Sequence, residues 1–416
     1  MIVSIIGLGY VGLPTAAILA SKKVNVVGVD INQNIVDIIN QGKTHIVEPE
    51  LDVLVHKAVK DNYLKAVIKP EKADVFVVAV PTPVKDNYEP DLSYIKSAAK
   101  TIATVLEKGN LIILESTSPV GTTEKMMEWI KEERPDLSFP KFRDDKIKAD
   151  IAVTHCPERV LPGQVVRELV ENDRIIGGVT TQCAEQAREL YKIFVKADCL
   201  ITDCRTAELS KLVENSFRDV NVAFANELSL ICDKLDINVW KMIQFANRHP
   251  RVNILQPGPG VGGHCVAVDP WFIADSAPDE AKLIRTARLV NDSKPLFVLN
   301  KVNQAAKATG KKMSELSIAC LGLTFKANIA DLRESPALSI AQKIGSINFS
   351  SIFLVEPNID HIPSGFDSDN VKFVSLEKAI KDADIVVLLV DHASFKSMDL
   401  NLLSGKQVID TRGIWS

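Results

Sequence analysis

The feature that most constrains the fold is a glycine pattern between a short apolar run and an amphipathic stretch. The apolar residues 2–6 are followed by GLGYVG, and residues 12–21 then have the periodicity of a helix. In a strand–turn–helix unit of this kind, Gly7 permits the tight turn and Gly9 lets a pyrophosphate approach the backbone. Gly12 lets the helix pack closely on the strand, and the helix N-terminus offers N–H groups to phosphates. The chain is therefore predicted to begin with a dinucleotide-binding βαβ unit.

The residue that ends the second predicted strand indicates which dinucleotide is bound. Asp30 follows the apolar residues 24–29. A carboxylate at this position accepts hydrogen bonds from the adenosine ribose hydroxyls and repels a 2′-phosphate. The next residues, Ile31 and Asn32, carry no charge that could attract such a phosphate. We therefore expect NAD rather than NADP, and the alternative is a Rossmann fold that binds no nucleotide.

Apolar runs and amphipathic stretches alternate through the first half of the chain. Such a rhythm is typical of a doubly wound, parallel sheet with helices on both faces. The helix over 91–107 is predicted to begin at Asp91 as its N-cap. The other elements predicted here are strands at 74–80, 110–114 and 151–154 and a helix at 32–40.

The second half begins with a long helix and then returns to the βα rhythm. Residues 204–234 contain no Gly or Pro and predict one helix of roughly 45 Å, and a second helical stretch covers 279–309. Ser335-Pro336 is a strong start signal for a later helix. The remaining elements predicted here are strands at 316–322, 351–355, 384–390 and 406–410 and a helix at 375–382.

A chain of 416 residues is longer than one ordinary hydrophobic core can organise. The expected fold is α/β, with two Rossmann-like doubly wound domains joined by a long central helix and a helical middle domain. Its three parts are an NAD-binding domain over 1–203, a helical domain with the cysteine loop over 204–309 and a smaller α/β domain over 310–416.

Charge and cysteine content exclude several kinds of protein. The net charge of −4 gives no general attraction to nucleic acid or to an anionic membrane, and no apolar run is long enough to span a bilayer. The seven cysteines, an odd number without a repeated spacing, argue against a disulfide framework and favour the cytoplasm. The histidines and cysteines show no metal-binding spacing, so no metal is expected.

A glycine-rich segment, PGPGVGGHCVAVDP at 257–270, places Cys265 where a ligand can come close. Asp269 lies four residues later. A cysteine thiolate is a strong nucleophile when neighbouring positive charge favours its ionisation. A lone cysteine in a turn is more often inert. In a chain that also binds a dinucleotide, however, the thiol can carry an oxidation beyond the aldehyde.

Polar side chains lie at other places that suit ligand binding. Thr82 and Thr117 follow the third and fourth main predicted strands, at the edge where open α/β sheets bind ligands. On the long helix, Lys211, Asn215 and Arg218 share one face, where a lysine and an amide can polarise a carbonyl oxygen. Each group alone is more typical of a turn or a solvated surface. Cations that suit a phosphorylated ligand are Arg248, His249, Arg251, Lys326, Arg333 and Arg412.

Taken together, these motifs resemble the UDP-glucose/GDP-mannose dehydrogenase family over nearly the whole chain. The similar segments are GLGYVG at 7–12, PTP at 81–83, STSPVGTT at 116–123, PERVLPG at 157–163, the Lys211–Asn215 helix, GGHCVAVDP at 262–270 and GLTFKANIADLRESP at 322–336. The resemblance implies the four-electron oxidation of the C6 hydroxyl of a UDP-sugar to a carboxylate, with two NAD+ and one water. It also implies a homodimer in which Arg251 reaches the neighbouring subunit's site.

The resemblance further implies roles for individual residues. Lys211, with Asp269 through a water, would assist loss of the hydroxyl proton, and Cys265 would attack the C6 aldehyde. Lys211 and Asn215 would stabilise the oxyanion of the thiohemiacetal, and water activated near Glu158 or Asp269 would hydrolyse the thioester. The implied NAD contacts are Gly7, Gly9, Tyr10, Val11, Gly12, Asp30, Thr82, Thr117 and Arg333. The implied contacts of the nucleotide sugar are Arg159, Val160, Lys211, Asn215, Arg218, His249, Arg251, Gly263, Phe325, Lys326 and Arg412.

One departure from the family pattern bears on the sugar. Val268 precedes Asp269 where UDP-glucose dehydrogenases usually have a lysine, which disfavours glucose and favours an N-acetylated sugar. Residues 248–272 are most similar to the branch of the family that oxidises UDP-N-acetyl-D-mannosamine for surface polysaccharides. UDP-N-acetylglucosamine and, less so, UDP-glucose stay open as alternatives, because the sequence does not determine the configuration at C2 and C4.

Two other classes of protein share part of this pattern. A single-step β-hydroxyacid dehydrogenase also pairs a Rossmann domain with a helical Lys–Asn motif, but it has no use for Cys265 or for a third α/β domain. A regulator that senses NAD without turnover would leave Lys211 and Cys265 without a task. The number of NADH formed per substrate separates the three classes: two, one or none.

Overall fold

The structure is a computed structural model that describes residues 1–85, 88–146, 148–161, 163–263, 265–366 and 368–415. The chain divides into two compact units. The first consists of Met1–Glu214 with Trp271–Pro278, and the second of Asn215–Pro270 with Asp279–Ser416. Among the helices that the structure describes, none has the length and apolar character needed to cross a membrane.

The first unit is built on an eight-stranded sheet. Its strands are β1 (Ile2–Ile6), β2 (Asn25–Val29), β3 (Leu64–Val67), β4 (Val75–Val78), β5 (Leu111–Leu114), β6 (Ala152–His155), β7 (Arg174–Gly178) and β8 (Cys199–Asp203). They follow the order β3-β2-β1-β4-β5-β6-β7-β8, and the only antiparallel neighbours are β6 and β7. The order around β1 is that of a doubly wound nucleotide-binding sheet, which confirms the predicted class.

Helices cover both faces of this sheet because its strands are apolar on both sides. In β4, Val75 and Val77 belong to one apolar cluster, whereas Phe76 and Val78 belong to another. Such continuous apolar runs are typical of strands buried between two helical layers. The helices are α1 (Gly12–Ser21), α2 (Gln33–Asn40), α3 (Leu51–Lys60), α4 (Ser93–Ala103), α5 (Thr122–Glu133), α6 (Val165–Glu171) and α7 (Thr181–Tyr191).

Helix α4 corrects one predicted boundary. The helix begins at Ser93, with Leu92 as the residue before it, and it ends at Ala103 rather than at residue 107. The Asp91 side chain accepts a hydrogen bond from the backbone N–H of Ser93 at 2.9 Å. Asp91 therefore lies one residue before the N-cap position, but its side chain still satisfies the first backbone N–H of the helix.

The long helix α8 (Cys204–Lys234) has the predicted bounds and contributes residues to both units. The second unit also contains a five-stranded parallel sheet in the order β11-β10-β9-β12-β13. Helix α12 begins at Pro336, and the Ser335 hydroxyl accepts a hydrogen bond from Leu338 N–H at 3.2 Å, as the start signal predicts. The strands are β9 (Ser317–Leu321), β10 (Ser351–Val355), β11 (Val371–Phe373), β12 (Ile385–Leu388) and β13 (Gln407–Asp410), and the helices are α9 (Val239–Ala246), α10 (Asp269–Ser276), α11 (Lys282–Ala308), α12 (Pro336–Gly345), α13 (Leu376–Asp382) and α14 (Ala393–Lys396).

Candidate active site

The three glycines of the first βα turn have three different surroundings. Gly7 has a φ of 94°, and a Cβ there would lie 2.7 Å from the Ala79 carbonyl oxygen. A Cβ on Gly12 would lie 1.9 Å from the Gly7 carbonyl oxygen, so the helix can approach the turn only without a side chain. A Cβ on Gly9 would meet no atom within 4 Å. The turn thus leaves open space beside Gly9 at the N-terminus of α1, which fits a pyrophosphate.

Asp30 lies at the carboxyl end of β2 and is fixed by two backbone N–H groups. Leu8 N–H donates to its Oδ2 at 3.1 Å, and Asn32 N–H donates to its Oδ1 at 2.9 Å. The first of these bonds ties the carboxylate to the glycine turn. The residue is half-buried, so a ribose hydroxyl can reach the oxygen lone pairs that remain. Tyr10 and Val11 complete the turn, and the Tyr10 side chain is exposed.

The structure brings together the two threonines that follow β4 and β5. The Thr82 hydroxyl donates to the Thr117 carbonyl oxygen at 2.5 Å. The Ser116 hydroxyl donates to the Val80 carbonyl oxygen at 2.7 Å and joins the same two strand ends. Both loops therefore form one edge of the sheet, where open α/β sheets bind their ligands.

Glu158 lies beyond β6 and is almost completely buried, at 7% exposure. Its Oε2 accepts a hydrogen bond from Arg174 Nη1 at 2.9 Å, and its Oε1 accepts one from the Arg159 backbone N–H at 2.6 Å. The Arg159 guanidinium lies 2.5 Å from Glu214 Oε1 and donates to the Asp173 carbonyl oxygen at 3.2 Å. Val160 is half-buried. The Glu158 carboxylate is therefore held in one place by its two donors, Arg174 Nη1 and the Arg159 backbone N–H.

A second buried carboxylate, which the sequence analysis missed, lies beside the same arginine. Glu115 Oε1 is 3.7 Å from Arg174 Nη1 and accepts a hydrogen bond from the Tyr191 hydroxyl at 3.1 Å. Burial raises the pKa of Glu115 to about 7, while the positive charge of Arg174 acts in the opposite direction. The three residues are far apart in the chain and belong to different elements, so spacing along the sequence gives no sign that they meet.

Cys265 and Asp269 are joined by one helical turn, and Asp269 meets Asn215. The backbone N–H groups of Val268 and Asp269 both donate to the Cys265 carbonyl oxygen, at 3.1 and 2.9 Å. The Asn215 Nδ2 donates to Asp269 Oδ2 at 2.5 Å. The Cys265 side chain is exposed, whereas Asp269 is only 3% exposed. The turn therefore sets an exposed thiol one helical turn before a carboxylate that is already paired with the helical amide.

The other residues of the helical face differ in exposure. Lys211 lies one turn before Asn215 on α8, and both are half-buried. Arg218 is exposed. Because α8 is continuous through these residues, the three side chains lie along one face of the helix, as their spacing predicts.

The glycine-rich loop before Cys265 packs against the domain that ends the chain. Gly263 has a φ of 81°, and a Cβ there would lie 3.1 Å from Phe325 Cε2. A Cβ on Gly258 would lie 2.6 Å from Arg412 Nη1. At Gly263 the positive φ and the nearby aromatic ring favour glycine, whereas at Gly258 the loop backbone approaches a guanidinium that is able to move. The Arg412 side chain is itself held by Asp391, with Nη2 2.9 Å from Oδ1.

The remaining predicted cations lie on the surface. Lys326, His249 and Arg251 are exposed, and His249 Nδ1 accepts a hydrogen bond from Arg251 N–H at 3.3 Å. The Arg333 guanidinium forms a two-pronged ion pair with Asp331, with Nη2 2.6 Å from Oδ2. Arg333 therefore lies on the loop between β9 and α12 with its charge already partnered.

The second sheet has a carboxylate, Glu356, in a place similar to that of Asp30 in the first sheet, but its hydrogen-bond partners differ. Glu356 follows β10 and accepts a hydrogen bond from Leu323 N–H at 2.8 Å, as Asp30 does from Leu8. Asn328 N–H donates to His392 Nδ1 at 3.0 Å, so the ring proton is on Nε2, which lies 3.1 Å from Glu356 Oε2. Burial alone would raise the pKa of Glu356, but the bond from His392 and the backbone donors lower it to about 2.

The sequence matches three consecutive domains of one family. Residues 1–195 match the UDP-glucose/GDP-mannose dehydrogenase family, NAD binding domain, residues 205–293 match its central domain, and residues 319–416 match its UDP binding domain.

Relatives and solved structures extend this similarity over the whole chain. An NDP-N-acetyl-D-galactosaminuronic acid dehydrogenase of Ralstonia nicotianae is 59% identical over 414 residues, which is 100% of this chain and 96% of that protein. A UDP-N-acetyl-D-mannosamine dehydrogenase of Campylobacter jejuni is 64% identical over 396 residues, covering 94% of this chain and 96% of that protein. The solved structure of the UDP-D-ManNAc dehydrogenase of Pyrococcus horikoshii has a TM-score of 0.87 and 39% identity, covering 100% of this chain and 96% of that chain. The glycine turn with Asp30, the cysteine loop and these similarities together lead to one conclusion: the chain belongs to the UDP-glucose/GDP-mannose dehydrogenase family and is an NAD-dependent nucleotide-sugar dehydrogenase.

Proposed function

We propose that this protein oxidises UDP-N-acetyl-D-mannosamine at C6 to UDP-N-acetyl-D-mannosaminuronate, in two NAD-dependent steps, for the synthesis of a surface polysaccharide. The observation that carries the proposal is the turn that joins Cys265 to Asp269, together with the 2.5 Å hydrogen bond from Asn215 to Asp269. A single alcohol-to-aldehyde oxidation has no use for a thiol, whereas an oxidation that continues to the acid can proceed through a thioester on that thiol. The choice of UDP-N-acetyl-D-mannosamine as the substrate is supported by the UDP-N-acetyl-D-mannosamine dehydrogenase of Campylobacter jejuni, which is 64% identical to this chain.

NAD would be held by the first unit. The N–H groups at the start of α1 and the open space beside Gly9 would receive the pyrophosphate, and Asp30 would accept hydrogen bonds from the ribose. When bound, NAD+ supplies the acceptor for one hydride in each oxidation. Further contacts are proposed for Gly7, Tyr10, Val11, Gly12, Thr82, Thr117 and Arg333.

The chemistry on the sugar would be divided among five side chains. Lys211, with Asp269 through a water, takes the proton of the C6 hydroxyl as the aldehyde forms. The Cys265 thiolate adds to that aldehyde, and Lys211 and Asn215 stabilise the oxyanion of the thiohemiacetal. Loss of a second hydride gives a thioester. A water activated near Asp269 or Glu158 then replaces the sulfur, which releases the carboxylate and restores the thiol.

The UDP-sugar would be held mainly by the domain that follows α11. Phe325 and Arg412 contact the glycine loop, so a ligand on these residues lies next to the segment that carries Cys265. The exposed ammonium of Lys326 suits a diphosphate. The other proposed contacts are Arg159, Val160, Arg218, His249, Arg251 and Gly263. In terms of function we divide the chain into an NAD-binding part over 1–203, a helical part over 204–309 and a UDP-sugar-binding part over 310–416.

A homodimer is part of the proposal, and an exposed apolar stripe on α8 supports it. Phe217, Phe224 and Ile231 are 70%, 53% and 47% exposed. Their spacing of seven residues puts them on one face of the helix. Large exposed apolar side chains in a row are typical of a surface that another protein covers. We propose that a second copy of this chain covers it and that Arg251, which is exposed, reaches the site of that copy.

The location proposed for the enzyme is the cytoplasm. None of the seven cysteines is paired in a disulfide, which suits a reducing compartment.

A second candidate substrate is the nucleotide sugar of N-acetylgalactosamine, because a relative with that name is 59% identical over the whole chain. The deciding experiment supplies purified protein and NAD+ with UDP-N-acetylmannosamine, UDP-N-acetylgalactosamine, UDP-N-acetylglucosamine or UDP-glucose. We expect the highest kcat/KM with the mannosamine substrate and two NADH per sugar. A higher kcat/KM with any of the other three would overturn the choice of sugar. One NADH per sugar would overturn the two-step reaction.

A further inference from the structure

Helices α8 and α11 are held together by a line of buried polar side chains, which is unusual for two long helices. Asp219 and Asn226 on α8 and Arg288 and Asn291 on α11 are each at most 2% exposed. Buried polar groups are costly unless each finds a partner, so such a line is expected to have a purpose beyond packing.

The hydrogen bonds of this line converge on the carboxylate of Asp219. Arg288 Nη1 donates to Asp219 Oδ1 at 2.6 Å, and Asn291 Nδ2 donates to the same oxygen at 2.8 Å. Asn226 Nδ2 then donates to Asn291 Oδ1 at 2.8 Å. At the end of the line, the backbone N–H of Gly258 donates to Asn226 Oδ1 at 2.9 Å.

The orientation of each amide follows from the ion pair between Arg288 and Asp219. Because the guanidinium of Arg288 only donates, the carboxylate of Asp219 is held as an acceptor. Asn291 must therefore turn its NH₂ group toward Asp219 and its oxygen toward Asn226. Asn226 must in turn face Asn291 with its NH₂ group, which leaves its oxygen for Gly258. Each amide has one orientation in which its hydrogen bonds along this line all form.

Gly258 belongs to the loop that carries Cys265 and that packs on the UDP-binding domain. A Cβ on Gly258 would lie 2.6 Å from Arg412 Nη1, and one on Gly262 would lie 2.4 Å from the Glu334 carbonyl oxygen. The loop thus lies between Asn226 on one side and the domain after α11 on the other. A loop so tightly packed tolerates little displacement, and its N–H bond to Asn226 is the polar tie to the helix pair.

We infer that Asn226 is a positioning residue for the cysteine loop, with Asn291, Asp219 and Arg288 fixing the orientation of its amide. The inference deepens the proposed function and rests on it, because the loop matters for activity only if Cys265 acts on the sugar. Asn226 contacts neither the Cys265 sulfur nor C6 of the sugar. It acts through Gly258, whose position helps to determine where the thiol meets the substrate.

The test compares three variants in the full-length protein. Asn226→Ala removes the acceptor, and Asn226→Asp keeps the shape but sets an oxygen against Asn291 Oδ1. Ser229→Ala is the matched control: Ser229 accepts a hydrogen bond from Lys294 Nζ at 2.7 Å in the same helix pair. The Ser229 hydroxyl also donates to the Asn226 backbone carbonyl at 2.6 Å, and it makes no hydrogen bond with the described residues 257–263 of the loop.

The readouts separate positioning from folding. Both Asn226 variants should lower kcat for sugar oxidation by about 10- to 100-fold, as expected for a misplaced reacting group. The rate of Cys265 alkylation by iodoacetamide should change at least about threefold. The Kd for NAD+ should stay within about twofold, because the glycine turn and Asp30 lie in the other unit. Ser229→Ala should leave all three quantities within about twofold, whatever it does to the melting temperature.

Hydrogen–deuterium exchange of the wild-type protein provides a measurement that needs no variant. The Gly258 amide should exchange slowly, since its N–H is buried and bonded. Rapid exchange at Gly258 would overturn the inference, and so would wild-type kcat and alkylation rates in folded Asn226→Ala and Asn226→Asp. An equal loss in Ser229→Ala would reduce Asn226 to a packing residue. Alkylation and exchange need no sugar, so they still decide the role of Asn226 if the wild-type protein fails to form two NADH per sugar and the proposed function falls.

Discussion

At the scale of single residues, replacing Cys265 should separate the two oxidations of the proposed reaction. In Cys265→Ser the hydroxyl ionises far less readily than a thiol, so attack on the aldehyde becomes slow. Steady turnover to the acid should fall by several orders of magnitude, while binding of NAD+ and of the UDP-sugar should survive. Stopped-flow and steady-state measurements of NADH per sugar check this expectation. Fast formation of two NADH per sugar by the variant would show that Cys265 only packs.

Asp30 should determine which dinucleotide the protein accepts. The wild-type protein should strongly prefer NAD+ to NADP+, because a carboxylate at the end of β2 would accept hydrogen bonds from the ribose and repel a 2′-phosphate. Asp30→Ala should reduce this preference by at least about tenfold in kcat/KM, since a charge-assisted hydrogen bond is lost. Asp37→Ala on α2, another aspartate of the same unit, is the control. Equal efficiency of the wild-type protein with both cofactors would contradict the role of Asp30.

Glu115 should make the stability of the protein depend on pH. Burial raises its pKa from 4.5 to about 7 in the folded chain. A carboxyl group with a raised pKa binds its proton more tightly when folded, so its contribution to stability is complete below pH 4.5 and is lost as the pH rises to about 7. The contribution amounts to about 3 kcal/mol at most.

Urea unfolding between pH 4.5 and 7.5 measures this contribution. The loss of stability over that range should be smaller in Glu115→Gln than in the wild-type protein, because the variant has no proton to release. Glu128→Gln is the control, since Glu128 is exposed on α5. Identical pH dependence in wild type and Glu115→Gln would mean that Glu115 is ionised throughout.

Local sequence patterns predicted the residues whose role depends on the conformation of the nearby backbone. They did not predict the residues whose role depends on partners far away in the chain. The tight turn at Gly7 and the close approach at Gly12 follow from the need for a bare Cα, which the spacing of the glycines records. Arg174, by contrast, meets Glu115 and Glu158 only because β7 lies beside β6. No periodicity in a single sequence indicates which two strands become neighbours.

At the scale of elements, the exposed face of α8 should hold two copies of the chain together. Phe224→Glu would put a charge in the middle of a surface that is apolar, and burying it without a partner costs several kcal/mol. The dimer dissociation constant measured by sedimentation should therefore rise at least about 100-fold. Val47→Glu, at a residue 93% exposed in the other unit, should leave it unchanged. A wild-type monomer, or a Phe224→Glu dimer as tight as the wild type, would contradict the proposed interface.

Helix ends were better predicted than strand pairings, for a physical reason. The bounds of α8 agree with the stretch free of Gly and Pro, and α12 begins at the Ser-Pro signal, because both depend on neighbouring residues only. The sequence pattern missed β3, β7, β8 and β11, whose place depends on the pairing of distant segments. Helix α11 continues through Pro295, which shows that packing can outweigh a local breaker.

At the scale of the whole molecule, the last domain should bind the UDP-sugar and not the dinucleotide. Lys326→Ala and Arg412→Ala should each raise the KM for the UDP-sugar by at least about tenfold, since each removes a cation suited to a phosphate or a sugar hydroxyl. The KM for NAD+ should stay within about twofold. Lys372→Ala on β11 is the matched control, as Lys372 is an exposed cation of the same domain. An equal rise in the KM for NAD+ would show that the two domains are assigned wrongly.

The buried pair of Glu356 and His392 has a consequence for the order of events in catalysis. In the second sheet, Glu356 lies where Asp30 lies in the first, but it is buried. Its two oxygens accept hydrogen bonds from Leu323, His392 and Asn358, so it offers none to a ribose. The proposed reaction removes two hydrides, so a chain with one dinucleotide site would have to exchange its spent cofactor in the middle of that reaction. The half-oxidised sugar has to stay in place during that exchange, and a covalent bond to Cys265 is one way to keep it there. We therefore expect the first NADH to leave before the second NAD+ binds, while the half-oxidised sugar stays bound.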